Sequence, residues 1–222
     1  MARAVLSEFS LARVQENIAR VREEIAAAAA RSGRDPSAVE ILAATKYVAI
    51  DQIEVLLAAG LRTFGENRAG ELIAKAKRYG DRARFDYIGV LQSRRVREIA
   101  PYVHLIHSVA SSSALRALAA HPPASAAGIL IEVNIAGEPG KAGIAPGQLR
   151  SLLAEAPCPV HGLMTMPPAS ADPQASRAHF RALRELAHAH GLSELSMGTS
   201  QDFAVAVEEG ATIVRIGTRL YV

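Results

Sequence analysis

Short strand-like runs alternate with amphipathic helical patterns along almost the whole chain, and there are eight such runs: Val39–Ala44, Arg62–Gly65, Phe85–Gly89, Val103–His107, Gly128–Asn134, Val160–Met164, Ser193–Met197 and Thr212–Ile216. Strands separated by helices cannot form hairpins. Each connection must cross over, which gives a parallel sheet with right-handed βαβ units. Eight parallel strands are the number that closes into a barrel. Barrels of this type commonly run about 200–250 residues, and the chain has 222. The expectation is therefore an α/β fold, one (β/α)8 TIM-type barrel over residues 1–222 as a single domain. An open doubly wound sheet is the structural alternative, but no Gly-x-Gly-x-x-Gly fingerprint follows the first strand.

A further helix precedes the first strand. Leu11, Val14, Ile18, Val21 and Ile25 recur at spacings of three and four, and Gly33 followed by Asp35-Pro36 ends the pattern. The sequence stops four residues after Thr218, which leaves no room for a helix after the last strand. The extra N-terminal helix is expected to cover that gap. Farther along, Ile53, Leu56 and Leu57 mark a helix closed by Gly60, and the clearest helix opens at Asp172-Pro173, runs through Phe180, Leu183 and Leu186, and stops at Gly191.

Composition excludes several classes. Net charge is only +3 and basic residues are interspersed with acidic ones, so a nucleic-acid partner is not expected despite a pI near 9.2. Cys158 is the one cysteine, lying between two prolines, and reads as a loop residue that can form neither an internal disulfide nor a thiolate metal site. The start, Met1-Ala2-Arg3-Ala4-Val5-Leu6, does not resemble a leader, and the Ala26–Ala30 run is too short to span a bilayer. A cytoplasmic protein without membrane contact is expected.

In a parallel barrel the strand C-termini and the loops after them build the functional face. Those positions hold Lys46, Glu66-Asn67, Gln92-Ser93, His107-Ser108, Asn134, Met164-Thr165-Met166, Met197-Gly198-Thr199-Ser200 and Arg215-Ile216-Gly217-Thr218. The last two loops are where barrels most often bind phosphate. There Gly198 and Gly217 allow close backbone approach, Ser200 and Thr218 add hydroxyls, and Ser200-Gln201-Asp202-Phe203 reads as a helix start that favours an anion. The plainer reading makes these glycines turns and Ser200 an N-cap.

Lys46 ends the apolar first strand. A lysine partly withdrawn from water carries more neutral amine, the form that attacks an aldehyde. A cofactor with an aldehyde at one end and a phosphate at the other would bridge Lys46 and the phosphate loops, and pyridoxal 5′-phosphate (PLP) has that shape. Arg215 lies inside the last strand between Val214 and Ile216. It either pairs with a buried carboxylate or meets the pyridine nitrogen. In the second case the ring nitrogen stays unprotonated, because arginine is not a proton source, and the ring becomes a poor electron sink.

The chain resembles the pyridoxal-phosphate homeostasis protein family, formerly described as proline synthetase co-transcribed proteins and similar to the barrel domain of alanine racemase. The resemblance runs through Ser32–Pro36, Leu42–Lys46, Phe64–Asn67, Ile88–Ser93, His107–Val109, Val133–Ile135, Lys141–Ile144, Gly162–Met164, Leu195–Gly198 and Val214–Thr218. It implies a Schiff base on Lys46, a ring-contacting Arg215, and phosphate contacts from Ser200, Gly217 and Thr218, with Asn67, Met197 and Gly198 as further neighbours of PLP. It also implies a role in vitamin B6 and amino-acid balance as a carrier or buffer, with apo-enzymes that use PLP as recipients, and a monomer or weak homodimer. Departures fall at Asp86-Tyr87, where the family usually has His-Phe, at Arg94-Arg95, usually Asn-Lys, and at Ala110, usually Asp. None is expected to touch the lysine or the phosphate loops.

An amino-acid racemase is the competing function. Two-base racemisation needs an acid/base group on each face of the bound substrate, and the racemase resemblance puts the second, a tyrosine, on another domain or subunit. Tyr47 and Tyr221 lie near the rim but read as packing residues. The seven histidines raise a metal-dependent hydrolase, yet His188 and His190 point apart on a helix, and His104 and His107 have no evident carboxylate partner nearby in sequence.

Overall fold

A computed structural model describes residues 9–123 and 128–222; the N-terminal Met1–Leu6 stretch considered above lies outside the described residues. Helix α1 (Leu11–Arg31) comes first, and then strands and helices alternate. Their order is β1 (Glu40–Ala44), α2 (Ile53–Ala58), β2 (Thr63–Glu66), α3 (Ala69–Tyr79), β3 (Arg84–Tyr87), α4 (Ser93–Ile99), β4 (Leu105–Val109) and α5 (Ser112–Ala120). The second half continues with β5 (Gly128–Glu132), α6 (Leu149–Ala154), β6 (Val160–Met164), α7 (Arg177–Ala189), β7 (Glu194–Thr199), α8 (Phe203–Glu208) and β8 (Ile213–Ile216). All neighbouring strands run parallel, and β1 pairs with β8, with Ala43 opposite Ile216, so the sheet closes into a (β/α)8 barrel.

Ser10 caps α1 by accepting from the Arg13 amide at 3.2 Å, and Val14, Ile18, Val21 and Ile25 form its buried stripe. That stripe packs against α2, α8 and the 3-10 turn Thr218–Leu220, so α1 occupies the eighth helix position left vacant after β8. The strands are buried on both faces, which explains why β5 opens with the apolar run Gly128–Ile131. Outward residues such as Phe64, Phe85, Ile106 and Val214 pack under the helices. Inside the barrel, Leu42, Leu105, Leu130, Met164 and Ile213 form a separate cluster with Ile88 against it.

Most expected strands differ from the observed ones by one or two residues at their ends, because the apolar pattern runs on into buried loops where the ladder has already stopped. Strand β4 shows the largest shift, starting at Leu105 rather than Val103. Among the described residues no helix is long and apolar enough to cross a membrane.

Candidate functional site: the barrel mouth

Lys46 stands two residues beyond β1, on the rim where the strands open, and its side chain is exposed, with Nζ 5.3 Å from the centroid of the Tyr47 ring. The expected withdrawal from water is thus corrected. β1 ends at Ala44, so Lys46 belongs to the loop rather than to the buried strand. The backbone under it is held tightly. The buried Lys75 ammonium donates to the Thr45 carbonyl at 2.9 Å and to Glu66 Oε1 at 2.6 Å, while the Thr45 hydroxyl donates to the same oxygen at 2.5 Å. The Tyr221 hydroxyl donates to the Ala44 carbonyl at 3.1 Å.

Because β8 neighbours β1, the loop after β8 lies beside the lysine loop. A Cβ at Gly217 would meet nothing closer than Ala44 Cβ at 3.9 Å, which leaves open space over that turn. The Gly217 amide donates to Ser200 Oγ at 3.1 Å, joining the loops after β7 and β8 into one cup. Gly198 shapes the β7 turn differently. Its φ is +89°, and a Cβ there would lie 2.6 Å from Ala206 Cβ and 2.9 Å from Phe203 Cα. Asp202 braces the turn by accepting from the Thr199 amide at 2.7 Å and from the Ser176 hydroxyl at 2.9 Å.

Two expectations change here. α8 starts at Phe203, three residues after Ser200, so Ser200 is not its N-cap. Met197 is fully buried in the core outside the barrel, because strand alternation from the inward Ser196 turns it away from the mouth; only its backbone borders the site. Thr218 opens the final 3-10 turn and is exposed, as is Asn67 at the end of β2. Lys46, Asn67, Gly198, Ser200, Gly217 and Thr218 therefore share one rim, formed by the ends of β1, β2, β7 and β8.

Arg215 lies below that rim, 5 % exposed. Its Nη1 donates to the Ser196 carbonyl at 2.7 Å and to Ser196 Oγ at 2.6 Å, and Nη2 donates to the Thr165 carbonyl at 2.8 Å. Among the described residues no carboxylate forms an ion pair with it. Burial lowers its pKa to about 10, against the attraction of Asp202 and Glu132. Glu132, buried on β5, is pushed up by burial, partly countered by Arg215.

Sequence reasoning missed the group beneath Arg215. His107 Nε2 lies 3.1 Å from Asp86 Oδ2, and His107 Nδ1 lies 2.8 Å from Ser196 Oγ. His104 Nδ1 approaches Asp86 Oδ1 at 3.4 Å. Both histidines thus face a carboxylate after all. It sits on the adjacent strand β3, about twenty residues away in sequence, where a linear reading does not look. Burial works against the charged Asp86, but the two imidazoles outweigh it and hold the carboxyl below its ordinary range. Strand alternation on β3, with Ile88 packed against the interior cluster, was the available signal that Asp86 points inward. Among the described residues no group of three or more His, Cys, Asp or Glu side chains could hold a metal.

Residues 9–222 match the family model described as alanine racemase, N-terminal domain, which places the chain in that class of barrel. Among curated proteins it is 39% identical to the pyridoxal phosphate homeostasis protein of Aquifex aeolicus, over 93% of this chain and 96% of that one. The protein of the same name from Pseudomonas aeruginosa is also 39% identical, over 94% of each chain. The chain belongs to the pyridoxal phosphate homeostasis protein family. Among solved structures, PipY of Synechococcus elongatus with PLP bound superposes with a TM-score of 0.79 at 29% identity, covering 94% of this chain and 100% of that one. The curated relatives carry a homeostasis name rather than an enzyme name.

Proposed function

We propose that this protein binds PLP across the barrel mouth, through a Schiff base on Lys46, and serves as an intracellular carrier or buffer of the cofactor rather than as a catalyst. One observation carries the reading: an exposed amine at the end of β1 stands beside an open cup, built from Gly217 and Ser200, at the ends of β8 and β7. The donor set fits the ligand. Ser200 and Thr218 offer hydroxyls, Gly217 leaves the space over its turn free of a Cβ and holds Ser200 Oγ through its amide, and the buried Arg215 cation lies under the rim. The PLP-bound PipY structure, a family relative by fold and sequence, supports the same ligand.

When bound, PLP supplies an aldehyde and an electron-accepting ring. Lys46 would supply the amine that holds the aldehyde end. Ser200, Gly217 and Thr218 would hold the phosphate, with Asn67 and Gly198 as further neighbours of the cofactor. Arg215 offers N–H groups only, so it would give the ring nitrogen a hydrogen bond and no proton, which would keep the ring a weak electron sink. Tyr221 is not available as a second acid/base group. Tyr221 is buried with its hydroxyl committed to the Ala44 carbonyl, and burial, then the charge of Glu66, drive its pKa up. Exposure of Lys46 suits exchange with an outside acceptor, and apo-enzymes that use PLP are the proposed recipients.

The test is chemical. Borohydride reduction of protein incubated with PLP should add one cofactor mass at Lys46, and Lys46→Ala should lose it. Single L-amino acids, followed by chiral analysis, should remain L; turnover at ordinary enzyme rates overturns the carrier role. PLP-loaded protein should activate an apo-enzyme faster than release into buffer allows.

A further inference from the structure

The four residues Asp86, His107, Ser196 and Arg215 come from β3, β4, β7 and β8, and the contact between His107 and Ser196 passes through the barrel interior because β4 and β7 are not neighbours. All four are buried, with His107 and Ser196 fully enclosed. One arrangement of the hydrogens gives each of these contacts a donor and an acceptor with a neutral His107. Arginine only donates, so Ser196 Oγ accepts from Arg215 Nη1. Among the described residues the remaining neighbour of Ser196 Oγ is His107 Nδ1, so the hydroxyl hydrogen points there and Nδ1 is the acceptor. The proton of His107 then sits on Nε2, aimed at Asp86 Oδ2, an acceptor-only carboxylate. Every bond runs in one direction, from guanidinium to carboxylate, and bonds aligned in that way polarise and strengthen one another.

We infer that Asp86, His107 and Ser196 form a positioning relay for Arg215, fixing the plane of its guanidinium and returning a negative charge to it across the barrel. This rests on the PLP reading for its consequence, since the ring of the cofactor would be oriented by a guanidinium that Asp86 locks from the far side of the interior. None of the three relay residues touches the ligand; they act through Arg215. The other groups around the relay do not substitute for it. His104 reaches only the outer oxygen of Asp86, at 3.4 Å, and is 38 % exposed; the Thr165 carbonyl takes Nη2 of Arg215; and Glu132 acts on Arg215 without a hydrogen bond.

Two measurements decide it. In ligand-free protein, nitrogen NMR of His107 should find Nε2 protonated and Nδ1 bare, and Asp86→Asn, which takes the charge from the acceptor of Nε2–H, should shift the Nε2 resonance; the opposite tautomer, or an Nε2 resonance unmoved in Asp86→Asn, overturns the relay whatever happens with PLP. In PLP-loaded protein, Asp86→Asn and Ser196→Ala should each alter the visible circular dichroism of the bound cofactor and weaken its retention by roughly tenfold, while Lys46 remains the residue labelled by borohydride. The double variant should be no worse than Ser196→Ala alone. Full additivity means that the two side chains act separately, and the relay is then wrong. If Asp86→Asn does not fold, the His107 tautomer in the unaltered protein and the comparison of Ser196→Ala with Ser196→Thr, which keeps the hydroxyl, still decide. Absence of the Lys46 label in the unaltered protein would sink the PLP reading alone.

Discussion

Lys75 Nζ lies 2.6 Å from Glu66 Oε1 with both side chains at 1 % exposure or less, and the same ammonium supports the carbonyl of Thr45, the residue before Lys46. A buried pair of this kind is costly to break from one side, because the survivor keeps its charge without a partner. Lys75→Met should therefore lower unfolding stability by about 3–5 kcal/mol, read by urea denaturation. Adding Glu66→Gln should recover most of that loss, since the uncompensated carboxylate is then gone. If Lys75→Met costs less than about 1 kcal/mol, the pair is not what anchors the loop.

The two glycines of the cup should separate under substitution. At Gly198 alanine is strained by a φ of +89° and collides with α8, so Gly198→Ala should cost about 1–3 kcal/mol. Gly217, at φ −108° and ψ −111°, faces open space instead, so Gly217→Ala meets no collision and should cost less than Gly198→Ala. Its methyl group would instead enter the volume assigned to phosphate. Thermal melts with and without PLP check both halves: without ligand Gly217→Ala should melt above Gly198→Ala, and it should lose the stabilisation given by ligand. A Gly217→Ala protein still fully stabilised by PLP would remove that residue from the phosphate contacts.

Which parts of this molecule a linear reading reaches follows from the range of the interactions. Strands buried on both faces announce themselves as apolar runs, and the stripe from Val14 to Ile25 announces α1, because both patterns are local. The rim residues follow in turn, since parallel topology fixes which strand ends face the mouth. Asp86 and His107 escape because their contact joins different strands, and Asp86 by itself reads only as one polar residue in a strand. The environment of Lys46 was misjudged for a related reason: the apolar run through Ala44 looks continuous with the lysine, whereas the barrel opens between them. Met197 follows the pattern of its neighbours in the motif, but its side chain obeys the alternation of β7.

Tyr221 yields an alkaline prediction. Its buried phenol is held above the ordinary value of 10.0, by burial first and then by Glu66, so the folded state keeps it neutral while the unfolded chain ionises. Stability from this group is complete below pH 10.0 and falls as pH rises beyond it. Tyr221→Phe should be about 1 kcal/mol less stable near pH 7, having lost the bond to the Ala44 carbonyl. It lacks the titration, so the gap between the two proteins should narrow above pH 10.0. Denaturant titrations on both sides of that pH test it, and a gap that widens would contradict the assigned environment.

Glu209 behaves in the opposite sense. Buried at the end of α8, it accepts from Arg177 at 2.9 Å and Arg184 at 3.0 Å, with Arg181 at 3.3 Å, tying α7 to α8. Burial disfavours its charge, but the hydrogen bonds from Arg181 and Arg177 prevail and the carboxyl sits below the ordinary 4.5. Its contribution is therefore present above pH 4.5 and lost as pH falls through the lower folded value. The arginine partners are partly exposed, which screens the pairs, so Glu209→Gln should cost only about 1 kcal/mol at pH 7. That difference should shrink at pH values well below 4.5, where the native carboxyl becomes protonated and resembles the amide. Equal costs at the two pH values would mean that shape, not charge, is what Glu209 contributes to the α7–α8 contact.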